Sequence, residues 1–475
     1  MSNMNVFTGA TREVSVDQML FSTTDERGVI GFSNRAFVEL SEYSREQLVG
    51  APHSVIRHPD MPGGAFRTMW DTLKAGRPFA AYMRNLAADG AEYDVFAAIT
   101  PLDEGGYLSV GFRPTVDELL QTALSAYEGA KALEDSLDGA DRHEAAGRGA
   151  GKILELLGEA GISSYEELQS AALLAEVARR EELAGGLPER PEAAGTLGEA
   201  LEEVKGVARE LDAWMERSSA LADLSGALRT AGESLEREMD DETLTADALD
   251  RLDRSDPGSR SLAELLDVWI HMQEIVAQPV GRLHDVFSRL DANSAQTRFH
   301  VALARLHTTM TAQFIAELVD EGADADAAAS AICMLAGAIR RGLADMESQA
   351  DTQRRLVAET ADYIEQTREF IAIPRQLHAV GRRSGRRGAS RGRRPDRGGR
   401  FAEGRLRGQR ARQTRLHRPS VPGLPSAPGL RRRWRGLDDA VPARQGRPGG
   451  AELRRRCRLQ SLRPGGQSSF LIPYV

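Results

Sequence analysis

Residues 49–70 read VGAPHSVIRHPDMPGGAFRTMW, and no other stretch limits the fold as much. A short helical segment carrying Val55 and Ile56 runs into Arg57-His58-Pro59-Asp60. Pro59 and Pro62 end it, because each lacks an N–H and restricts the backbone of the residue before it. Gly63 and Gly64 let the chain turn into a second helix, Ala65 to Leu73, with Phe66, Met69, Trp70 and Leu73 along one face. A cation, an imidazole and a carboxylate are thereby held together between two apolar helices, an unusual use of polar side chains.

The flanks are rich in strand signals. Residues 19–25 (MLFSTTD) and 29–33 (VIGFS) read as the strands of a hairpin around Glu26-Arg27-Gly28. Asn34 is a good helix N-cap before Arg35-Ala36-Phe37-Val38-Glu39-Leu40. Ser44-Arg45-Glu46-Gln47 spells a capping box. Three more strands are expected at 79–86, 92–101 and 106–113, with Asp89-Gly90 as the hairpin turn between the first two.

Asp25, Gly28, Ile30, Asn34, Ala36, Phe37, Ser41, Tyr43, Ser44, Glu46, Leu48, Gly50 and Pro52 precede Arg57-His58-Pro59-Asp60-Met61-Pro62 in that order. This series resembles the PAS domain of bacterial aerotaxis receptors, with its PHxxxRHPDMP signature. The resemblance covers residues 19–114 and implies an α+β PAS domain, a five-stranded antiparallel sheet with helices. It also implies bound flavin adenine dinucleotide (FAD), kept by Arg57, His58 and Asp60 with Trp70 near the cofactor. Asn34 and Asn85 match two further family asparagines. A flavin needs a largely apolar slot with a few convergent polar groups, and a guanidinium such as Arg57 suits phosphate. On spacing alone other roles stay open: Asp60 pairing with Arg57 or capping the next helix, and Trp70 as ordinary core. Leu86, Ala87, Ala88 and Asp94 replace the family's basic and aromatic residues between the third and fourth strands, and Phe79 stands at a common tryptophan. This leaves open another ligand such as haem, or none, in which case the domain is a cofactor-free interaction or dimerisation scaffold.

Cys333 and Cys457 are the only cysteines, and both lie far from residues 19–113. A flavin–cysteine bond of the kind light-sensing relatives form is thereby excluded. Two cysteines build no disulfide framework and fit a reducing cytoplasm. The segment 1–18, read as an N-terminal extension, has no basic region followed by an apolar run. No stretch approaches the ~18 apolar residues of a membrane-spanning helix. A cytoplasmic protein is expected, unlike the membrane-anchored aerotaxis receptors, and without a chemoreceptor's signalling hairpin.

Residues 115–372 are rich in Ala, Leu, Glu and Arg and show helical spacing throughout. They predict an all-α bundle or coiled-coil module for signalling and dimerisation. Helices are expected from near Val116, from Ile153, from Ser164, over about 197–239, over 262–291 with an interruption at Pro279, and over 294–320 and 325–371. Asp253–Ser261 reads as a loop. His271, His284, His300 and His307 lack metal-ligand spacing and read as structural. Gly147-Arg148-Gly149-Ala150-Gly151-Lys152 fails as a phosphate loop, because Ile153 replaces Ser/Thr and no strand precedes it. No metal site and no catalytic constellation is found, so the chain reads as a non-enzyme.

From Pro374 to the last residue there are 27 Arg, no Lys and 5 acidic residues, whereas the whole chain carries −9. Residues 373–475 therefore read as a disordered, Arg/Gly/Pro-rich basic tail. It reads as a nucleic-acid-binding arm, as a partner for the acidic body, or as a frameshift product, and the last is favoured. The combined expectation is a cytoplasmic PAS sensor of redox state or oxygen. It acts as a homodimer and passes a conformational change through its helices to an unidentified downstream signalling protein.

Overall fold

In the computed structural model, the structure describes residues 7–103, 105–137, 139, 141–193, 195–240, 257–321 and 325–388. The basic tail from 389 onward, with the readings attached to it, lies outside the described residues, as does His271's side chain.

The N-terminal strands are buried on both faces along most of their length. β1 (Met19–Thr24) and β2 (Ile30–Ser33) are joined around Gly28. α1 (Arg35–Ser41), α2 (Arg45–Leu48), a 3-10 turn (His53–Ile56) and α3 (Gly63–Lys74) follow. β3 (Phe79–Leu86), β4 (Glu92–Pro101) and β5 (Tyr107–Phe112) complete an antiparallel sheet of order β2-β1-β5-β4-β3. Asn34 caps α1 through its side chain, and Ser44 and Gln47 form the capping box of α2. The segment before β1 is tied to the domain. Thr11 bridges Glu92, the Arg12 guanidinium donates to Leu40 O at 2.6 Å and Asp89 Oδ2 at 2.7 Å, and Val14 is buried.

Successive strand residues face opposite sides of the sheet. Leu20, Ser22, Met83, Asn85, Val95, Ala97, Ser109 and Gly111 look toward α3 and the 3-10 turn across a cavity. Phe21, Tyr82, Phe96, Leu108, Val110 and Phe112 fill the other side, where they are almost fully buried. That outer face has no helix near it in sequence; later helices cover it.

Those helices are α4 (Asp117–Ser136), α5 (Arg142–Glu159), α6 (Tyr165–Ala184), α7 (Gly195–Asp240), α8 (Pro257–Glu321) and α9 (Ala325–Gly388). α5 begins well before Ile153, so the glycine run 147–151 is helical. α8 passes through Pro279 without the expected interruption and starts inside the expected loop. α9 continues through Pro374 to Gly388, past the expected boundary at 372.

The described residues form two compact units. One holds those up to Ser218 with Ala295–Gln349; the other holds those of Ser219–Ser294 and those after Gln349. Within the first, α6 covers the β3 side: Tyr165 stacks on Phe79 at 5.3 Å, and Gln169 Oε1 accepts the Ala80 N–H at 3.2 Å. α8 covers the β1 side, where Phe314 meets Phe21 and Phe32 edge-on at 5.0 and 5.8 Å. His307, fully buried, places Nε2 at 3.2 Å from Thr100 Oγ1, and Asn34 Nδ2 donates to Glu317 at 3.1 Å. The second unit is a helical assembly with Leu283, Val286, Phe287, Leu290 and Leu356 at its centre. Arg229–Asp291 and Arg289–Glu359 ion pairs and an Asn293–Gln353 hydrogen bond join its helices.

Candidate functional site

A cavity of about 920 Å³ lies between the inner face of the sheet and α3. Its floor exists because small residues meet there: Ala97 pairs in register with Gly111 across β4 and β5, leaving the space open. The walls are mainly apolar, from Leu20, Phe37, Ile56, Phe66, Met69 and Ile99. A few polar groups converge on it, namely Ser22, His53, Arg57, Asn85, Tyr107 and Ser109. Apolar walls with few, placed polar groups are the usual make-up of a cofactor or small-molecule pocket, and the volume lies in that range.

Three of the residues expected at a site line this cavity. Arg57 lies over the Phe66 ring, its guanidinium carbon 3.6 Å from the ring centre, and its buried Nε has no hydrogen-bond partner. Burial pushes its pKa down. A buried donor left unmade costs about 1–3 kcal/mol, so this atom is a candidate contact for an acceptor in the cavity. Trp70 meets Tyr107 edge-on at 5.5 Å and packs over Gly28. Gly28 has φ +79°, and a Cβ there would stand 3.3 Å from Trp70 Cη2, so both the turn and the indole require glycine. Asn85 lines the wall from β3, and its backbone bridges Arg57.

The other three do not line it. The Arg57–Asn85 bridge makes residues around 57 extended, so neighbouring side chains leave on opposite sides. Arg57 enters the cavity, and His58 turns away. His58 is buried, with Nδ1 accepting the Asp60 N–H at 3.2 Å and Nε2 lying 3.4 Å from Glu92 Oε2. Burial lowers its pKa, opposed by the Asp60 and Glu92 charges. Asp60 is exposed and sits 3.7 Å from His58, rather than pairing with Arg57. Asn34 is buried behind β1, where Oδ1 accepts the N–H groups of Phe21 and Phe37 and Nδ2 donates to Met19 O.

His53 is a lining residue that the sequence reading passed over, although it is the first histidine of PHxxxRHPDMP. Its Nε2 lies 3.1 Å from Ser22 Oγ, and burial lowers its pKa to about 4, so the ring is neutral. Conversely, the departures in the β3–β4 region lie off the cavity. Asp94 forms a two-pronged ion pair with Arg84 (2.9 and 3.1 Å) on the outer side, and Phe79 packs on Tyr165.

Residues 30–110 match the family model described as PAS fold. The chain is 37% identical over 146 residues to the aerotaxis receptor of Escherichia coli (strain K12), a match taking in 29% of each protein. It is 33% identical over 81 residues to the nitrogen fixation regulatory protein of Klebsiella pneumoniae, covering 17% of this chain and 16% of that one. The chain thus spans under a third of the length of these relatives. Among solved structures, a PAS domain from Colwellia psychrerythraea is 22% identical (TM-score 0.18, 20% of this chain and 85% of that one). The Aureochrome1 LOV domain is 16% identical (TM-score 0.21, 23% and 89%). No described helix is long and apolar enough to cross a membrane. The five-stranded sheet and the family-model match make residues 30–110 a PAS domain, similar over this region to the aerotaxis receptor.

Proposed function

We propose that the chain is a redox or oxygen sensor that binds FAD in the cavity between the sheet and α3. The observation that carries this reading is the mainly apolar cavity of about 920 Å³ lined by Arg57, whose buried Nε has no partner. Arg57, His53, Asn85 and Trp70 fit a flavin as its polar and aromatic contacts. Bound flavin supplies reversible electron uptake, which changes the charge the cavity must accommodate. The chain's own residues carry the consequence outward. Glu176 of α6 accepts the Tyr82 hydroxyl at 2.9 Å, the Thr115 N–H at 2.7 Å and the Val116 N–H at 3.1 Å. One side chain thereby joins β3, the start of α4 and α6. The output is a conformational signal rather than catalysis, delivered by a homodimer to a downstream signalling protein in the cytoplasm.

The test is an absorption spectrum of the full chain produced with ample riboflavin. Flavin bands that weaken in Arg57→Ala and Trp70→Phe support the reading. A Soret band means haem, and a colourless, folded protein means a cofactor-free scaffold; either refutes it.

A further inference from the structure

The cavity is not closed by the PAS elements alone. Its outer wall includes Glu134 and Asp135 at the end of α4, and Arg142, His143 and Ala146 at the start of α5. These helix ends meet α3 through direct packing of α5 and through one carboxylate. Glu134 Oε2 accepts the Gly63 N–H at 2.7 Å and Oε1 accepts the Gly64 N–H at 2.8 Å. Both amides belong to the first turn of α3, whose N–H groups have no partner within the helix. A carboxylate is favoured there by the helix dipole.

The surrounding residues are cut to this contact. A Cβ on Gly149 would overlap the Glu134 carboxylate, and one on Gly64 would overlap the backbone of Ala150. A Cβ on Gly63 would stand 3.2 Å from Ala146 Cβ. Of the glycines that imitate a phosphate loop in the sequence, Gly149 is the one that leaves room for the Glu134 carboxylate; a Cβ on Gly147 would stand 3.3 Å from Arg67 Nη1, and one on Gly151 would meet nothing within 4 Å. The second fastening is weaker and exposed: Arg67 Nη1 donates to His143 O at 3.2 Å.

We propose that the ends of α4 and α5 form a wall of the ligand site that opens, with Glu134 as the positioning residue that latches it over the cavity mouth. The inference rests on the flavin reading for its ligand, but the latch is measurable without one. Releasing Glu134 removes the polar tie between the end of α4 and α3 and lets the α4–α5 ends shift at the mouth. Ligand exchange and the posture of α4, the helix that leads out of the sheet, are then one event.

The experiment uses the full chain as wild type, Glu134→Gln, Glu134→Ala and, as an independent way to dislodge the carboxylate, Gly149→Ala. Glu144→Gln, which pairs with Arg148 within α5, is the control. FAD dissociation is followed by stopped-flow fluorescence, and amide exchange by mass spectrometry. Loss of the latch is expected to speed FAD release by about tenfold or more, the scale of one net charge-assisted hydrogen bond. Exchange at residues 63–64 rises with or without FAD, circular dichroism is unchanged, and the control is silent. FAD release within twofold of wild type in both Glu134→Gln and Gly149→Ala, with those amides exposed, overturns the latch and leaves the flavin reading standing. A chain that takes up no flavin overturns the flavin reading instead. The latch is then judged by the uptake rate of the apolar dye 1-anilinonaphthalene-8-sulfonate, which must rise in the same variants; an unchanged rate refutes it.

Discussion

Replacing Glu176 by alanine is the sharpest single test of how the sheet is joined to the helices. Glu176 is fully buried on α6 and accepts four hydrogen bonds: Tyr82 Oη, Thr115 N, Thr115 Oγ1 (2.6 Å) and Val116 N. The four donors do not lose equally. The Thr115 hydroxyl rotates to another acceptor, and the Thr115 and Val116 amides are half-buried and recruit water. Tyr82 is 1% exposed and stays unsatisfied. One fully buried orphan at about 1–3 kcal/mol, and two partly compensated amides at about 1 kcal/mol each, give a loss of about 3–5 kcal/mol. For a unit of this size that lowers the melting temperature by about 6–15 °C. Tyr82→Phe removes one donor and its hydroxyl together, so it costs only about 0.5–1.5 kcal/mol. In the double variant the two losses must not add, because the orphaned hydroxyl is gone. Thermal melts of the four proteins, with amide exchange at 115 and 116, are the assay. A Glu176→Ala protein that melts within about 2 °C of wild type, or strict additivity with Tyr82→Phe, refutes the reasoning.

Two further predictions concern the same unit. Burial holds the His53 and His307 imidazoles at about 4, below the ordinary 6.5, so both are neutral in the fold, and the stability this confers is present above pH 6.5 and lost as pH falls toward 4. Burial raises Glu317 to about 7 from 4.5, which acts in reverse: stability falls as pH rises from 4.5 to 7. Between pH 4.5 and 6.5 the two histidines make stability rise with pH and Glu317 opposes them. Glu317→Gln should therefore make stability rise more steeply with pH, by about one proton, in urea titrations, and an unchanged slope contradicts the assignment. Gly28→Val forces a β-branched residue into φ +79° and against Trp70, so a cost of about 1–3 kcal/mol is expected. Red-shifted tryptophan fluorescence and weaker flavin retention should accompany it.

Local signals made the sheet legible. The strand-forming runs 79–86 and 92–101 and the Asp89-Gly90 turn placed β3 and β4 at their observed bounds, and Asn34 was readable as a cap. The site was legible only in part, because a motif does not say which way each side chain points. Arg57 and His58 are adjacent in sequence and opposite in space. Asn34 lies on the far side of β1 because its cap is made inward. Glu134 was invisible: its partners are backbone amides about 70 residues away, and no side-chain pattern announces such a contact. The glycines 147–151 misled, since glycine marks both a break and a close helix approach. Pro279 likewise marked an interruption that the neighbouring turns of a long helix override.

The outer face of the sheet, covered by α6 and by Phe314 and His307 of α8, has a consequence for assembly. A second copy of the chain finds no bare sheet to lie against, because the chain has already supplied its own substitute. Anything that peels α6 or α8 from the strands would expose a sticky apolar surface. In that sense the covering helices act as an internal chaperone for the sensor domain.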